Sequence, residues 1–490
     1  MRPGSEVAES DAALRRISIV LVLGAIVTAI DLTIVNIGVD TLRRELHRGV
    51  GSIQWVITAY SLALAAVIPL TGWAARRFGA RRAYLVSLTL FTLGSALCGA
   101  CSTLEQLVVC RVLQGLGGGM IMPLGMIILA EAAGPARLGR AMGLMNGAAM
   151  LGPMLGPVFG GLILAHLGWQ WIFYVNLPLG VAGLALGWRY LPAARLDGVA
   201  RQLDVVGFGL LGVGIPAITY GLSEMASGGE VARAGVTIPI AGGLVLVAAF
   251  VRHALSADHP LLDVRLYANR VFAAASATTF VLSAGLLGAM VLMPLYFQQV
   301  RGLGVLSAGL LMLPQGFGLM VTTPLSGRLV DRMPAGPLTM IGLAVTLIGT
   351  APLAFAGAHT PLVLLMVAIF VRGAGIGMTF TPTMKVALGS LARGQVADAS
   401  PQLNVGQRVG GSIGTALIAV ALQRELPTSL HPHLTRVAGA YDTAYRWALL
   451  GVLLAAVPGV VLLRAESRRA AKRPAAVAPP AAVLVTDPEA

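Results

Sequence analysis

Long apolar runs broken by short polar connectors recur fourteen times between about Ile17 and Leu463. They lie at 17–39, 54–74, 83–101, 105–129, 141–165, 170–188, 204–224, 234–251, 271–298, 305–327, 337–356, 361–384, 402–423 and 447–463. A helix rises 1.5 Å per residue, so crossing about 30 Å of hydrocarbon takes roughly 20 mostly apolar residues. Runs such as Ile17 to Val39 and Ala83 to Cys101 approach or meet that length. The pattern predicts an all-α polytopic membrane protein whose solvent is the lipid bilayer. The first run contains Asp31 and lacks a small-residue cleavage site, so it reads as a retained helix and not a signal peptide.

The polar connectors set orientation. An even number of crossings puts both ends on one side, and cytoplasmic connectors are those enriched in Lys and Arg. With both termini in the cytoplasm, 24 of the 35 basic residues fall inside and 8 outside. Trp55, Trp73, Trp169, Trp171, Trp188 and Trp447 all fall near span ends, where an amphipathic ring sits at the headgroup level. The expected protein is multi-pass, with both termini cytoplasmic.

The spans repeat. Pro69-Leu70-Thr71-Gly72 is followed by the basic turn Arg76-Arg77-Phe78-Gly79-Ala80-Arg81-Arg82. Pro324-Leu325-Ser326-Gly327, 255 residues later, is followed by Arg328-Leu329-Val330-Asp331-Arg332. Each closes an even-numbered span on the inner face, as expected of two parallel six-helix bundles. The seventh and eighth spans then have no counterpart and are inserted between the bundles. The expected division is a tail at 1–14, a first bundle at 15–192, a linker with the inserted spans at 193–265, a second bundle at 266–464, and a disordered, Ala- and Pro-rich tail at 465–490. The connector Leu261 to Leu266 mixes apolar and charged residues and fits either a membrane-surface segment or a solvated linker.

Inside the spans, charge is rare and therefore informative. An acidic residue in hydrocarbon is costly and by default a functional candidate. Asp31 lies 14 residues from Ile17, about 21 Å deep from the inner side. Arg111 lies six residues inside the outer end of the fourth span, about 9 Å down, so the two reach nearly the same depth. Thr28 shares the helix face of Asp31, and Gln114 that of Arg111. Burial disfavours a bare carboxylate and a neighbouring guanidinium favours it. Either the pair is a fixed link between helices, or its separation lets the carboxylate take up a proton. Arg372 sits about 16 Å from Pro361, near mid-membrane, and Arg408 follows Asn404 and Gln407. Three interior cations then face one carboxylate, a cavity that does not favour a naked polycation; Asn36 and Gln315 complete the polar set of the candidate substrate cavity.

The fifth span carries Gly152, Gly156, Pro157, Gly160 and Gly161 within ten residues. Glycines permit close helix contact and prolines free backbone carbonyls, so this helix bends, either as a structural kink or as a hinge and seal. The arginines of the 76–82 turn have a topogenic role, with gating as a possible addition.

Composition narrows the classes. The 490 residues are 56% hydrophobic and only 11% charged, with mean hydropathy +0.81, which excludes an ordinary soluble globule. The net charge of +14 is scattered over short loops, without the concentrated basic face that nucleic acid requires. Cys98, Cys101 and Cys110 read as packed small residues, and the seven histidines lie in connectors or at span ends. No set of residues in the membrane suits a metal, a cofactor or an enzyme's nucleophile and base.

At these residues the chain resembles the major facilitator superfamily, and within it the fourteen-helix drug:proton antiporters. The family's first signature is similar to Asp31-Leu32-Thr33-Ile34-Val35-Asn36, its fourth-helix signature to Arg111-Val112-Leu113-Gln114-Gly115, and its antiporter signature to Gly152 through Gly161. Similarity extends through Trp171 to Pro178, Leu261 to Phe272, Tyr296 to Arg332 and Ala399 to Gly414. The resemblance implies the major facilitator fold, with Asp31 as the proton-coupling acid, Arg111 as its partner and Gly152 to Gly161 as an extracellular-side seal. It implies a gating loop at Gly72, Arg77, Gly79, Arg81 and Arg82, with Asp331 in the second repeat. Two positions depart from it: Arg76 stands where an Asp is usual, and Asp40 where a proline often closes the first signature.

The expected function is a proton-coupled antiporter, acting as a monomer, that exports amphipathic drugs or natural products across the bacterial inner membrane by alternating access. Its partners are a small amphipathic substrate, protons and the bilayer. The alternative on the same fold is an exporter of lipid or envelope precursors, or a proton-linked importer, since fold alone does not fix substrate.

Overall fold

The computed structural model describes residues 3–48, 50–149, 151–192, 202–226, 233–425 and 434–471, some of them, including Asn36, Asp40 and Pro157, by backbone alone. Among these residues the chain is helical, without strands, because in hydrocarbon each backbone N–H and C=O must find its partner within the segment. The first half comprises α1 (Pro3–Glu45), α2 (Val50–Val67, prolonged through a 3-10 turn by Thr71–Phe78), α3 (Ala80–Ala100), α4 (Leu104–Gly134), α5 (135–149 and Leu151–His166) and α6 (Trp171–Tyr190). The pair α7 (Val205–Ala226) and α8 (Ala234–Ser256) follows. The second half comprises α9 (Arg270–Gln299), α10 (Val305–Leu310 and Leu313–Leu329), α11 (Ala335–Thr350), α12 (Leu362–Gly389), α13 (Val396–Glu425) and α14 (Leu434–Ala471).

Among the described residues twelve of these helices are long and apolar enough to cross a membrane. The two outside that number are α5 and α9, of which the apolar run Arg270–Leu286 is shorter. Fourteen crossings are therefore expected from the sequence, and among the described residues twelve helices have the length and apolarity for one.

Helix pairings repeat between the halves. In the first, α1 packs on α5 and α6, α4 on α2 and α3, and α3 on α6. In the second, α9 packs on α13 and α14, α12 on α10 and α11, and α11 on α14. Two six-helix bundles result, with α7 and α8 packed on each other outside them. One face of α7 lies on α2 and α13, one helix from each bundle, with Trp55 stacked on Tyr220 at 6.0 Å. Asp204 ties this pair down. Its carboxylate accepts from the amides of Gly207 (2.8 Å) and Leu261 (3.0 Å) and lies 2.9 Å from His253 Nε2. Burial works to raise this carboxyl, and the Gly207 amide, His253 and the Leu261 amide outweigh it, holding it below the usual aspartate range.

Two stretches differ from the sequence reading. The expected connector at 130–140 is helical except at Gly134, whose φ of +64° turns α4 into α5, a conformation that glycine adopts without a Cβ penalty. The last helix continues to Ala471, so 465–471 is not the expected disordered tail; 472–490 lies outside the described residues. Glu466 explains the extension, since its carboxylate accepts from the free amides of Ala335 and Gly336 at 3.0 and 2.6 Å, capping the N-terminus of α11.

Candidate functional site

Five helices of the first bundle converge on Asp31, which is fully buried, as is Arg111 at 1% exposure. Arg111 Nη1 donates to Asp31 Oδ2 at 2.8 Å and to Gln114 Oε1 at 2.7 Å, while Nε donates to the Val56 carbonyl at 3.0 Å. The guanidinium lies 4.0 Å from the ring centre of Tyr60 and 5.7 Å from that of Phe173. Asp31 Oδ1 accepts from Gln114 Nε2 at 2.9 Å and from Asn176 Nδ2 at 3.0 Å. Both amides also donate to Ser95 Oγ, at 3.1 and 3.0 Å, and Ser95 donates to the Phe173 carbonyl at 2.9 Å. Every side chain here is oriented by a second one. A buried pair of this kind is costly to break by removing one member, about 3–5 kcal/mol, because the other charge is left uncompensated.

Sequence reasoning placed Asp31, Arg111 and Gln114 together, and it missed Ser95, Asn176 and Tyr60 as members. The available signal was their polarity inside apolar spans. Thr28 is buried near Asp31 in sequence, but its hydroxyl donates to the α1 carbonyls of Gly24 (3.1 Å) and Ala25 (3.0 Å). The side chain of Asn36 lies outside the described residues. Gln315 and Arg372 meet in the second bundle, Gln315 Oε1 accepting from Arg372 Nη1 at 3.0 Å. Arg408 on α13 is half-buried and within electrostatic reach of Tyr60. Among the cysteines, Cys98 Sγ lies 3.6 Å from Gln114 Oε1, and the Cys101 and Cys110 sulfurs lie 3.6 Å apart.

The glycine-rich segment of α5 packs on the part of α1 that flanks Asp31. Thr33 Oγ1 donates to the Gly152 carbonyl at 3.1 Å. A Cβ on Gly152 would stand 2.3 Å from Ala29 Cβ, and one on Gly156 would stand 2.0 Å from Thr33 Oγ1. Only glycine fits this approach. Gly160 is buried, and Gly161 has open space around it.

On the face of the 76–82 turn the two bundles are joined. Arg76 Nη1 meets Asp398 Oδ1 at 2.7 Å, and Gly72 lies so close to α13 that a Cβ would come 2.5 Å from the Ala397 carbonyl oxygen. Arg76, which stands where an acid is usual, thus draws its acid from the other bundle. Asp331 accepts from the amides of Gly139 and Arg140, both at 3.1 Å, and pairs with Lys385 at 2.8 Å. Ser400 donates to the Pro123 carbonyl at 3.0 Å. Gly79, with a φ of +85°, turns α2 into α3. Arg81 donates to the Trp188 carbonyl, and Arg77 and Arg82 are exposed.

The comparisons with known proteins agree with this architecture. A profile described as Major Facilitator Superfamily matches residues 21–415. The chain is 39% identical over 415 residues to a "Multidrug resistance protein B homolog" of Mycobacterium tuberculosis (strain ATCC 25618 / H37Rv), covering 84% of this chain and 77% of that protein. It is 30% identical over 408 residues to "Multidrug export protein EmrB" of Haemophilus influenzae (strain ATCC 51907 / DSM 11121 / KW20 / Rd), covering 83% and 80%. Among solved structures, the proton:xylose symporter XylE superposes with a TM-score of 0.62 at 16% identity, covering 91% of this chain and 95% of that one, a likeness of fold.

Proposed function

The chain belongs to the major facilitator superfamily, as a multi-pass membrane transporter of the multidrug-efflux kind, and from that premise we propose that it exports amphipathic drugs or natural products in exchange for protons. In this reading the face of the 76–82 turn is cytoplasmic, the membrane is a bacterial inner membrane, and the two bundles alternate access around a central cavity. One chain supplies every residue the scheme uses, so a monomer suffices.

The observation that carries the proposal is the isolation of Asp31. It is sealed from water and held by three donors, one of them a permanent cation. When the bundles rock or a substrate draws Arg111 away, the carboxylate loses its counter-charge and takes up a proton; when the pair re-forms, the proton leaves. Gly152 and Gly156 hold α5 against this stretch of α1 and keep the proton path from becoming a leak. The Arg76–Asp398 and Asp331 contacts close the cytoplasmic face while the opposite face releases substrate. A membrane potential contributes about 2.3 kcal/mol per net charge per 100 mV, equivalent to roughly 50-fold accumulation, so the charge of the substrate sets how much of that force is used.

The test is efflux from inverted vesicles over a panel of cationic, neutral and anionic amphiphiles, with Asp31→Asn beside wild type. Gradient-driven transport is expected to vanish in Asp31→Asn, together with substrate-induced proton release from the purified protein. Proton release that persists unchanged in Asp31→Asn removes the coupling role. Equal wild-type transport after both the pH gradient and the voltage are collapsed removes antiport altogether.

A further inference from the structure

The interior charges of the two bundles are not balanced alike. In the first, Arg111 faces Asp31 at 2.8 Å. In the second, Arg372 on α12 is 3% exposed, and among the described residues its hydrogen-bond partner is the neutral Gln315 alone. Its Nε is buried with no acceptor among the described residues. Each bundle sets a polar residue of its second helix, Tyr60 or Gln315, beside an arginine of its fourth, although the 255-residue offset that carries Tyr60 onto Gln315 carries Arg111 onto Met366. The carboxylate on that helix is what differs: α9, which takes the place of α1, has no acidic residue from Arg270 to Gln299, and the acid of α14, Asp442, has Arg446 as its charged neighbour.

A guanidinium remains charged throughout the working pH range and offers five donors in a planar fork that fits a compact anion. A second donor lies within electrostatic reach of it. Tyr445 of α14 interacts electrostatically with Arg372, and its hydroxyl lies 3.1 Å from the Met293 sulfur, a weak acceptor that a charged oxygen or halide readily outcompetes.

We infer that Arg372, with the Gln315 amide beside it, forms an anion-binding subsite inside the second bundle. Its ligand is a compact monoanion, either the carboxylate head of an amphipathic substrate or an inorganic ion such as chloride. The anion takes the place in the second bundle that Asp31 holds in the first. This deepens the export reading by giving it anionic substrates, and the binding itself stands independently of proton coupling.

The experiment is thermal unfolding of the detergent-purified protein titrated with chloride, with an amphipathic carboxylate and with the matched amphipathic amine. Ionic strength is held constant with gluconate, whose size and hydration keep it out of a bundle interior. Wild type is expected to show a saturable rise in its midpoint with an anion and none with the amine. In Arg372→Gln the anion affinity falls at least about 30-fold, and Arg372→Lys, which keeps the charge without the fork, falls between the two. Saturation by chloride that also blocks the carboxylate assigns an inorganic resident ion. Response to the carboxylate alone, with its accumulation in inverted vesicles, assigns a substrate head group. A wild type without any saturable anion response overturns the inference with no variant needed, as does a folded Arg372→Gln that retains the full response. Asp31→Asn is expected to keep the anion response, so loss of proton coupling and loss of the anion site are read separately.

Discussion

Asp398→Asn is expected to unlatch the two bundles on the face of the 76–82 turn. The Arg76–Asp398 contact is 2.7 Å long, and the side chains are only 10% and 9% exposed. Two unit charges about 4 Å apart at an effective dielectric of about 20 attract by about 4 kcal/mol. Part of that is offset by the water both groups give up, and close pairs at interfaces retain about 1.5 kcal/mol or more in double-mutant cycles. Asp398 also lies in the first turn of α13, where a carboxylate gains about 0.3–1 kcal/mol from the helix terminus. That helix-terminus gain is the same whether the face is open or closed, so a loss of about 1.5–3 kcal/mol at the pair itself moves the closed-to-open balance of this face by roughly 10- to 150-fold. Spin labels at the exposed positions Arg189 and Arg332, one on each bundle, read that balance as a distance distribution. The short distance is expected to lose population in Asp398→Asn and in Arg76→Gln, and to recover in the swapped variant carrying Arg76→Asp with Asp398→Arg. Gradient-driven efflux follows the same order. A swapped variant no better than either single change, or an unaltered distribution in Asp398→Asn, refutes the latch.

Gly152→Ala places a methyl 2.3 Å from Ala29 Cβ, so α5 must retreat by more than about 1 Å to restore ordinary carbon contact; proteoliposomes are expected to leak protons without substrate and to lose coupled efflux by about tenfold or more, and vesicles as tight as wild type speak against the seal. Asp204 has a carboxyl held below the usual range in the folded protein, so its stabilising contribution is present above the unfolded value of about 3.9 and is lost as pH falls through the lower folded value. Asp204→Asn is therefore expected to unfold at a lower temperature than wild type at pH 7, with the gap closing below about pH 4; a gap that stays constant with pH counts against this account.

What was legible in the chain follows from how far apart its determinants lie. Helices were readable because a membrane span is a local property of about 20 residues. The Asp31–Arg111 pairing could be reached across 80 positions because both residues could be measured inward from span ends along a straight helix. Asn176 could not, because its approach to Asp31 depends on how α6 is rotated against α1, and depth along the helix carries no information about rotation. The same holds for Arg76 and Asp398, 322 residues apart. Gly134 was hidden for the opposite reason, since one left-handed residue replaced a connector that the polar composition of 130–140 suggested.

The two inserted helices acquire a mechanical meaning from where they sit. The bundles meet along two seams, and these are built differently. Along α5 and α10 the backbones touch directly: a Cβ on Gly139 would stand 2.7 Å from the Gly327 carbonyl oxygen, and one on Gly143 would stand 2.8 Å from that of Thr323. Along α2 and α13 the seam is overlaid by α7. Contact with α2 includes the Trp55–Tyr220 stack, a weak, area-dominated interaction that tolerates sliding. At its start α7 is fixed through Asp204 to His253 of α8 and to the Leu261 amide on the segment that leads into α9, and directed hydrogen bonds do not tolerate sliding. The inserted pair is thus fastened to the second bundle's entry and only apposed to the first. In the alternating-access cycle proposed above, rocking of the bundles moves α7 across α2 as a cover over one seam, while the α5–α10 seam is closed by direct backbone contact.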